Sequence, residues 1–301
     1  MKQDQFPTQS TDRILHLDIF RGFAILGIFM VNILVMNVSF VFRENWIAEN
    51  ASALNKAAYW FLEMFFFSKF FPIFSFLFGI GVALQMRSLK AKLAPSTLFL
   101  IRRFSALLLF GICHILFIWS GDILHLYALF GFILMLAYKL PPIGILLAAI
   151  VLFFFPFFNE VYDYVCNWLA VNPTAELPKL SRADIIELKI NGTYASGIKL
   201  RMAEYGFMLP FVVAMIIPIA LTMVLLGAYT VKKGIIDRID AFVNKARIPL
   251  LIILVVLLAY RFTLIYWILP NFEIDFGTLL SFVMWTFYIA SEIAISFTYL
   301  V

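Results

Sequence analysis

The sequence predicts an all-α fold: a polytopic membrane helix bundle of about eight transmembrane helices, within a range of roughly seven to nine, with one larger extracytoplasmic loop. Three observations predict it. Of the 301 residues, 63% are hydrophobic and 14% are charged, against roughly 25% charged in a soluble domain. The mean hydropathy is +0.97. Apolar runs of about 20 residues, the length of a membrane crossing, recur along the chain, and the charged residues gather in the segments between them. There is too little polar surface here for an ordinary soluble enzyme, and too much apolar volume for a disordered chain.

The elements follow in order. The polar start, Met1 to Leu17, and the long run after it exclude a cleavable signal peptide and predict a first span over Leu17 to Phe42, closed by Arg43-Glu44. An amphipathic stretch leads to a second span, Tyr59 to Met86, in which Ser68-Lys69 and Pro72 predict a kink or break. A basic loop over 87–103 carries Arg87, Lys90, Lys92, Arg102 and Arg103. Spans three, four and five are expected over Phe104–Ser120, Ile123–Tyr138 and Ile143–Phe158. Gly121-Asp122 and Lys139-Leu140-Pro141-Pro142 make the turns between them. The acidic, proline-bearing segment 159–205 reads as an extramembrane loop with one or two short helices. Span six is Gly206 to Val231, and a second basic loop covers 232–249. Spans seven and eight are Leu250–Leu269 and Thr278–Val301, so all of 1–301 reads as a single transmembrane domain.

Lys and Arg set the orientation. With the N-terminus inside, 13 of the 23 fall on the cytoplasmic side and two in the short outer loops. The expected location is therefore a bacterial plasma (inner) membrane with a cytoplasmic N-terminus. The net charge of +5 is explained by basic loops facing anionic membrane lipid, so no nucleic-acid partner is expected. Cys113 in a span and Cys166 in a loop do not make a disulfide framework. Three histidines without metal-ligand spacing predict no metal site.

An ionisable side chain within the membrane costs roughly 2.5–3.5 kcal/mol on insertion scales, so each one requires a reason. Asp18 and Arg21 share a helix face, and Asn32 returns to the same stripe about 16 Å further on. That line is either a salt bridge with a packing asparagine or one wall of a cavity. His114, in mid-span, is either a helix-packing histidine or a general base or proton relay. Asp122 either caps the fourth span or orients His114. His125 and Tyr127 read as interfacial anchors. Lys69, beside the break, either snorkels or attracts an anionic group. Arg261 and Glu292 are expected to pair across helices, and Gly79-Ile80-Gly81 reads as helix packing.

The stretch Arg13-Ile14-Leu15-His16-Leu17-Asp18-Ile19-Phe20-Arg21-Gly22, continuing to Val31-Asn32, resembles the opening signature of the YeiB family, bacterial multi-pass proteins of unknown function. Further pieces fit: Phe70-Phe71-Pro72 through Gly79-Ile80-Gly81, then Arg102-Arg103, then Phe110-Gly111-Ile112-Cys113-His114 through Trp119-Ser120-Gly121-Asp122 to Tyr127-Ala128. The resemblance covers about Arg13 to Tyr138. The family is similar, more distantly, to the transmembrane acyltransferases, which include heparan-α-glucosaminide N-acetyltransferase and the membrane O-acyltransferases. That likeness implies transfer of an acyl group from cytoplasmic acyl-CoA, a co-substrate rather than a bound cofactor, to a polysaccharide or small-molecule acceptor outside. It makes Asp18, Arg21, Asn32, Lys69 and Tyr127 substrate-path residues and Arg102 and Arg103 the donor-phosphate residues. The histidine those enzymes carry near Asn32 is missing, which leaves His114 as the expected catalytic base with Asp122 beside it. The Gly-Pro-Leu-Glu-Trp-like ending of the family is also missing, and Val301 stops within an apolar run, as in a truncated chain or a naturally short member. Two other functions fit the same residues: a transporter or lipid-handling protein without chemistry, and an assembly subunit whose polar groups only hold helices together.

Overall fold

The structure, a computed structural model, describes residues 15–37, 43–91, 96–154, 158–169, 182–268, 271 and 279–299. Helix accounts for nearly all of them, and no strand is present among the described residues. The helices are α1 (Leu15–Asn37), α2 (Arg43–Glu49), α3 (Ala53–Phe65), α4 (Phe70–Ala91), α5 (Ser96–Phe117), α6 (Leu124–Ala137), α7 (Pro142–Phe153), α8 (Phe158–Leu169), α9 (Arg182–Ile190), α10 (Tyr194–Phe211), α11 (Ile217–Lys232), α12 (Ile239–Thr263) and α13 (Leu279–Thr298). Among the described residues, five helical stretches are long and apolar enough to cross a membrane: Leu17–Met36, Ala53–Lys90, Thr97–Phe117, Tyr194–Lys232 and Val243–Ile268.

The centre of the bundle is the pair α4 and α11, on which α7, α6 and α1 pack, with α5 against α6 and α12 against α13. Two glycines let α4 and α11 meet backbone to backbone. A Cβ on Gly79 would fall on the Val224 carbonyl, and one on Gly227 on the Phe76 carbonyl. In lipid, where burial against lipid tails gains little, such close van der Waals packing holds helices together. Ile73, Leu77 and Ile80 of α4 meet Val224, Leu225 and Ala228 of α11 in the core, flanked by Phe104, Phe130 and Leu134. The outer helices turn large apolar side chains outward: Leu26 and Phe29 on α1, Leu109 and Phe110 on α5, Val255 and Val256 on α12. Only 11% of the apolar window in Val243–Ile268 is buried, against 56% for Tyr194–Lys232. Apolar surface on this scale is foreign to soluble monomers and is what a lipid-facing helix presents.

Several boundaries differ from the sequence expectation. The break after α3 lies at Phe66–Lys69, where Ser68 takes φ of 62°. Pro72 does not cause it, because it sits in the first turn of α4, where a missing N–H breaks no bond. Within the basic loop expected over 87–103, α4 runs on to Ala91 and α5 starts at Ser96, so Arg87, Lys90, Arg102 and Arg103 stand on helices, and residues 92–95 lie outside the described ones. The second basic loop, 232–249, is likewise mostly helical: a tight turn at Gly234, with φ of 72°, leads through a 3-10 turn, Ile236–Arg238, into α12. Lys and Arg have good helix propensity, so charge marked the membrane exit and not the end of the helix. The described residues of 159–205 lie mostly in three helices, α8, α9 and the first part of α10, rather than one or two.

Span six continues α10 without a gap through one π-helical stretch, Val212–Ile216, into α11. Pro218 has no N–H for the Ala214 carbonyl, and the Ile217 amide bonds Val212 instead, five residues back, which is the π spacing. Helices α6 and α7 have 14 and 12 residues, about 21 and 18 Å. Each is shorter than the roughly 30 Å hydrocarbon layer; the described residues thus hold about five long apolar helices with shorter ones among them. The ends of the first and last expected spans, residues 38–42 and 300–301, and most of the turn over 270–277 lie outside the described residues.

Candidate functional site

Three polar clusters lie in or beside the apolar bundle. The first is at the α5–α6 turn. Gly111 of α5 has no side chain to hold off the backbone of His125, so α6 starts tight against α5. Asp122 is buried there, one residue before the N-cap Ile123, and its Oδ2 accepts the Leu124 amide at 2.9 Å. Its two oxygens also face two imidazoles: His114 Nδ1 is 3.4 Å from Oδ1 and His125 Nδ1 is 3.6 Å from Oδ2. The far nitrogen of His125, Nε2, is 2.8 Å from the Tyr205 hydroxyl. His114 and Asp122, the two expected catalytic residues, are thus brought together. The His114 side chain is 29% exposed and Asp122 only 6%, so the imidazole is reachable while the carboxylate is held behind it. On its open side His114 lines an apolar groove of about 560 Å³ with Leu107, Phe110, Cys113, Phe117, Ile118 and Leu124.

The first part of α10 closes this cluster from above. Thr193 caps α10 by accepting the Ser196 amide at 3.2 Å. Tyr194 donates to the Phe117 carbonyl at 2.8 Å and Arg201 Nε to the Leu116 carbonyl at 2.8 Å, which satisfies the open C-terminus of α5. Glu204 accepts the Ser120 hydroxyl at 2.9 Å and pairs with Lys189 of α9 at 3.6 Å. Sequence reasoning missed Tyr194, Arg201, Glu204 and Tyr205 because they fell in a segment read as loop. A signal was present: Tyr194, Arg201 and Tyr205 are spaced seven and four apart, so they recur on one stripe of a helix. His125, read as an anchor, belongs to the cluster.

The second cluster fills the break between α3 and α4. Lys69, Arg261 and Glu292 are all buried. Lys69 Nζ reaches Glu292 Oε2 at 3.1 Å, Glu292 also pairs with Arg261, and the Arg261 guanidinium lies 4.9 Å from the centre of the Tyr288 ring. The expected Arg261–Glu292 pair is present, with Lys69 as its third member. Lys69 itself lies wholly inside the bundle. It does not snorkel: its ammonium donates to the Glu63 carbonyl at 2.8 Å and to the Phe67 carbonyl at 2.7 Å and is ion-paired with Glu292. Tyr127 is likewise inside the core, its hydroxyl 2.9 Å from the Ser75 hydroxyl and its ring between Phe74 and Phe78. On α1, Asp18 and Arg21 pair at 3.2 Å with about a third of each side chain exposed, a geometry that contributes little. Arg21 extends to Gly81 of α4. Asn32 is half-buried on the same helix. Arg102 is exposed, and Arg103 donates to Gln85.

The third cluster is at the opposite end, where the basic segments lie. Arg87 makes a two-pronged contact with Asp237, at 2.9 and 3.0 Å. That hydrogen-bonded guanidinium holds the Asp237 carboxyl below the usual carboxylate range. Lys232 donates to the Tyr138 and Leu140 carbonyls at 2.8 and 2.5 Å, closing the C-terminal end of α6.

The fold and these clusters define a helical membrane protein with buried ionic groups. It is similar to proteins named Uncharacterized protein YxaH of Bacillus subtilis (strain 168), 39% identical over 165 residues, and Uncharacterized 39.9 kDa protein in amylase 3'region of Bacillus acidopullulyticus, 34% identical over 134. It is also 34% identical over 123 residues to Uncharacterized protein YeiB of Escherichia coli (strain K12). These alignments cover 52%, 44% and 40% of this chain, and 41%, 36% and 30% of the relatives, so the chain spans less than half the length of each. The relatives are uncharacterised YxaH/YeiB-type proteins, consistent with a YeiB-like family. No family model matches the chain, and no solved structure does.

Proposed function

We propose that the protein is a membrane-bound acyltransferase of a bacterial inner membrane, with His114 as its general base. One observation carries the reading: a carboxylate-backed imidazole, His114 on Asp122, stands in the wall of an apolar groove. A groove of that chemistry suits an acyl chain, and an imidazole there suits proton transfer at the end of the chain. With Nδ1 facing Asp122, Nε2 is the free nitrogen. The acceptor, a hydroxyl or amine of a polysaccharide or small molecule, attacks the thioester carbonyl of acyl-CoA and gives its proton to Nε2. The thioester C–S bond breaks as the ester or amide forms, and the departing thiolate takes the proton from the imidazolium. Asp122 stabilises the imidazolium while it exists. The distances of 3.4 and 3.6 Å are longer than hydrogen bonds and tighten when substrate is bound. His125, fixed by Tyr205, holds the other side of Asp122 and is a positioning residue. In this reading Asp18, Arg21 and Asn32 flank the route along α1, and Arg102 and Arg103 meet the donor phosphates.

A second reading, a transporter or lipid-handling protein without catalysis, is favoured by the ionic triad Lys69–Glu292–Arg261 at a helix break, a pattern that marks functional sites in membranes.

The test is release of free CoA from acyl-CoA by the purified full chain with added hydroxyl and amine acceptors, together with thermal stabilisation by acyl-CoA against free CoA. The expected results are stabilisation specific to acyl-CoA and a loss of turnover of about 10²–10⁴-fold in His114→Gln and Asp122→Asn. Undiminished turnover in folded His114→Gln removes the base. Absence of any acyl-CoA effect on folded wild type shifts the reading to the transporter.

A further inference from the structure

We propose that the cavity between α4, α6 and α11, at the end of the bundle remote from His114, binds a phosphate-bearing anion. The cavity has a volume of about 610 Å³, and Arg87, Lys90, Tyr138, Lys139 and Lys232 line it with Met135. Four of these six residues are cations, and none is acidic. Asp237 touches Arg87 from outside the lining and balances one charge, which leaves a cationic excess that a single carboxylate ligand would not neutralise. A phosphate dianion or a diphosphate would.

Two of the cations are already fixed. Arg87 is held by both oxygens of Asp237. Lys232 is held by the Tyr138 and Leu140 carbonyls and rests 4.7 Å from the centre of the Tyr138 ring. Fixed groups lose little freedom on binding. Lys90 and Lys139 are exposed at the rim, and among the described residues neither has an ion pair, so both can close on a ligand. The floor of Met135 and Tyr138 gives the ligand an apolar edge to lie against. A basic pocket between transmembrane helices of this kind takes phosphorylated lipid headgroups. A soluble diphosphate carries the same recognised group. This site stands apart from the chemistry at His114 and does not depend on it.

The experiment measures thermal unfolding of the purified full chain in neutral detergent, titrated separately with phosphatidylglycerol, phosphatidylcholine and inorganic pyrophosphate. The expected result is saturable stabilisation by phosphatidylglycerol, by pyrophosphate or by both, and none by phosphatidylcholine. Response to phosphatidylglycerol alone assigns the site to a lipid headgroup, response to pyrophosphate alone to a soluble ligand, and response to both to the phosphate group itself. Lys90→Gln with Lys139→Gln, which leaves the helix-closing Lys232 in place, weakens that binding about tenfold or more. Lys199→Gln with Lys245→Gln, two exposed lysines that do not line the cavity, leaves it unchanged. No stabilisation by either phosphate probe, or an undiminished response in the Lys90/Lys139 variant, overturns the proposal.

Discussion

Among the side chains, the largest electrostatic stake is the buried triad. Lys69 and Arg261 are fully buried and share Glu292 between them. Removing one partner of a buried ion pair costs about 3–5 kcal/mol, because the other charge is left uncompensated. Glu292→Gln leaves two cations facing each other, and the expected outcome is a loss of stability of that order, read as a lower unfolding temperature in detergent. Lys69→Met is expected to cost less, because Arg261 still holds Glu292. Equal losses would show that Arg261 does not satisfy Glu292 by itself. Sequence alone carried half of this cluster. Arg261 and Glu292 were legible as a pair because each lay in an apolar run where nothing else could neutralise it. Lys69 was not, because its partner is 223 positions away in a sequence whose hydropathy says nothing of which helices touch.

At the level of helices, the contact between α4 and α11 organises everything packed around it. Phe76 and Gly79 on one helix and Val224 and Gly227 on the other meet with no side chain between the backbones. Gly227→Leu forces these helices apart. Overpacking commonly costs about 1–3 kcal/mol, and a backbone clash belongs at the upper end of that range. The check is the unfolding temperature of Gly227→Leu against that of Gly206→Leu, since a Cβ at Gly206 meets nothing within 4 Å; equal effects would mean that the close approach is not a stabilising contact. The Gly79-Ile80-Gly81 stretch was legible as a packing surface, since small residues in an apolar span have few other uses. Its partner was not. The extent of α10 was hidden too: a polar, charged first half reads as a loop, yet Tyr194 and Arg201 bond the last carbonyls of α5 and hold that half against the bundle.

On the scale of the whole molecule, the charge distribution divides the bundle into two ends. Arg87, Lys90, Lys139 and Lys232 gather at one, and the α5–α6 turn with the first half of α10 forms the other. By the positive-inside rule, the basic end is expected to face the cytoplasm. After Cys113 and Cys166 are replaced by Ser, a single cysteine at Lys139 is expected to resist a membrane-impermeant thiol reagent in intact cells, and one at Lys199 to react with it. The reverse pattern would invert the assigned orientation.

The sequence by itself determined that the chain is a helical membrane protein, roughly where its apolar runs lie, and that His114 and Asp122 are close enough along the chain to meet around one turn. Those are local properties: hydropathy and period are written in consecutive residues, and the α5–α6 turn spans few of them. The tertiary structure decided that α6 and α7 are short and that Pro72 is not the breaker. It also decided that Lys69 pairs with Glu292 and donates to two backbone carbonyls, and that Tyr205 and Glu204 complete the histidine cluster. These depend on packing between distant segments, and in a chain so uniformly apolar many pairings satisfy the same hydropathy. Close backbone approach at glycines and the need to neutralise each buried charge select among them.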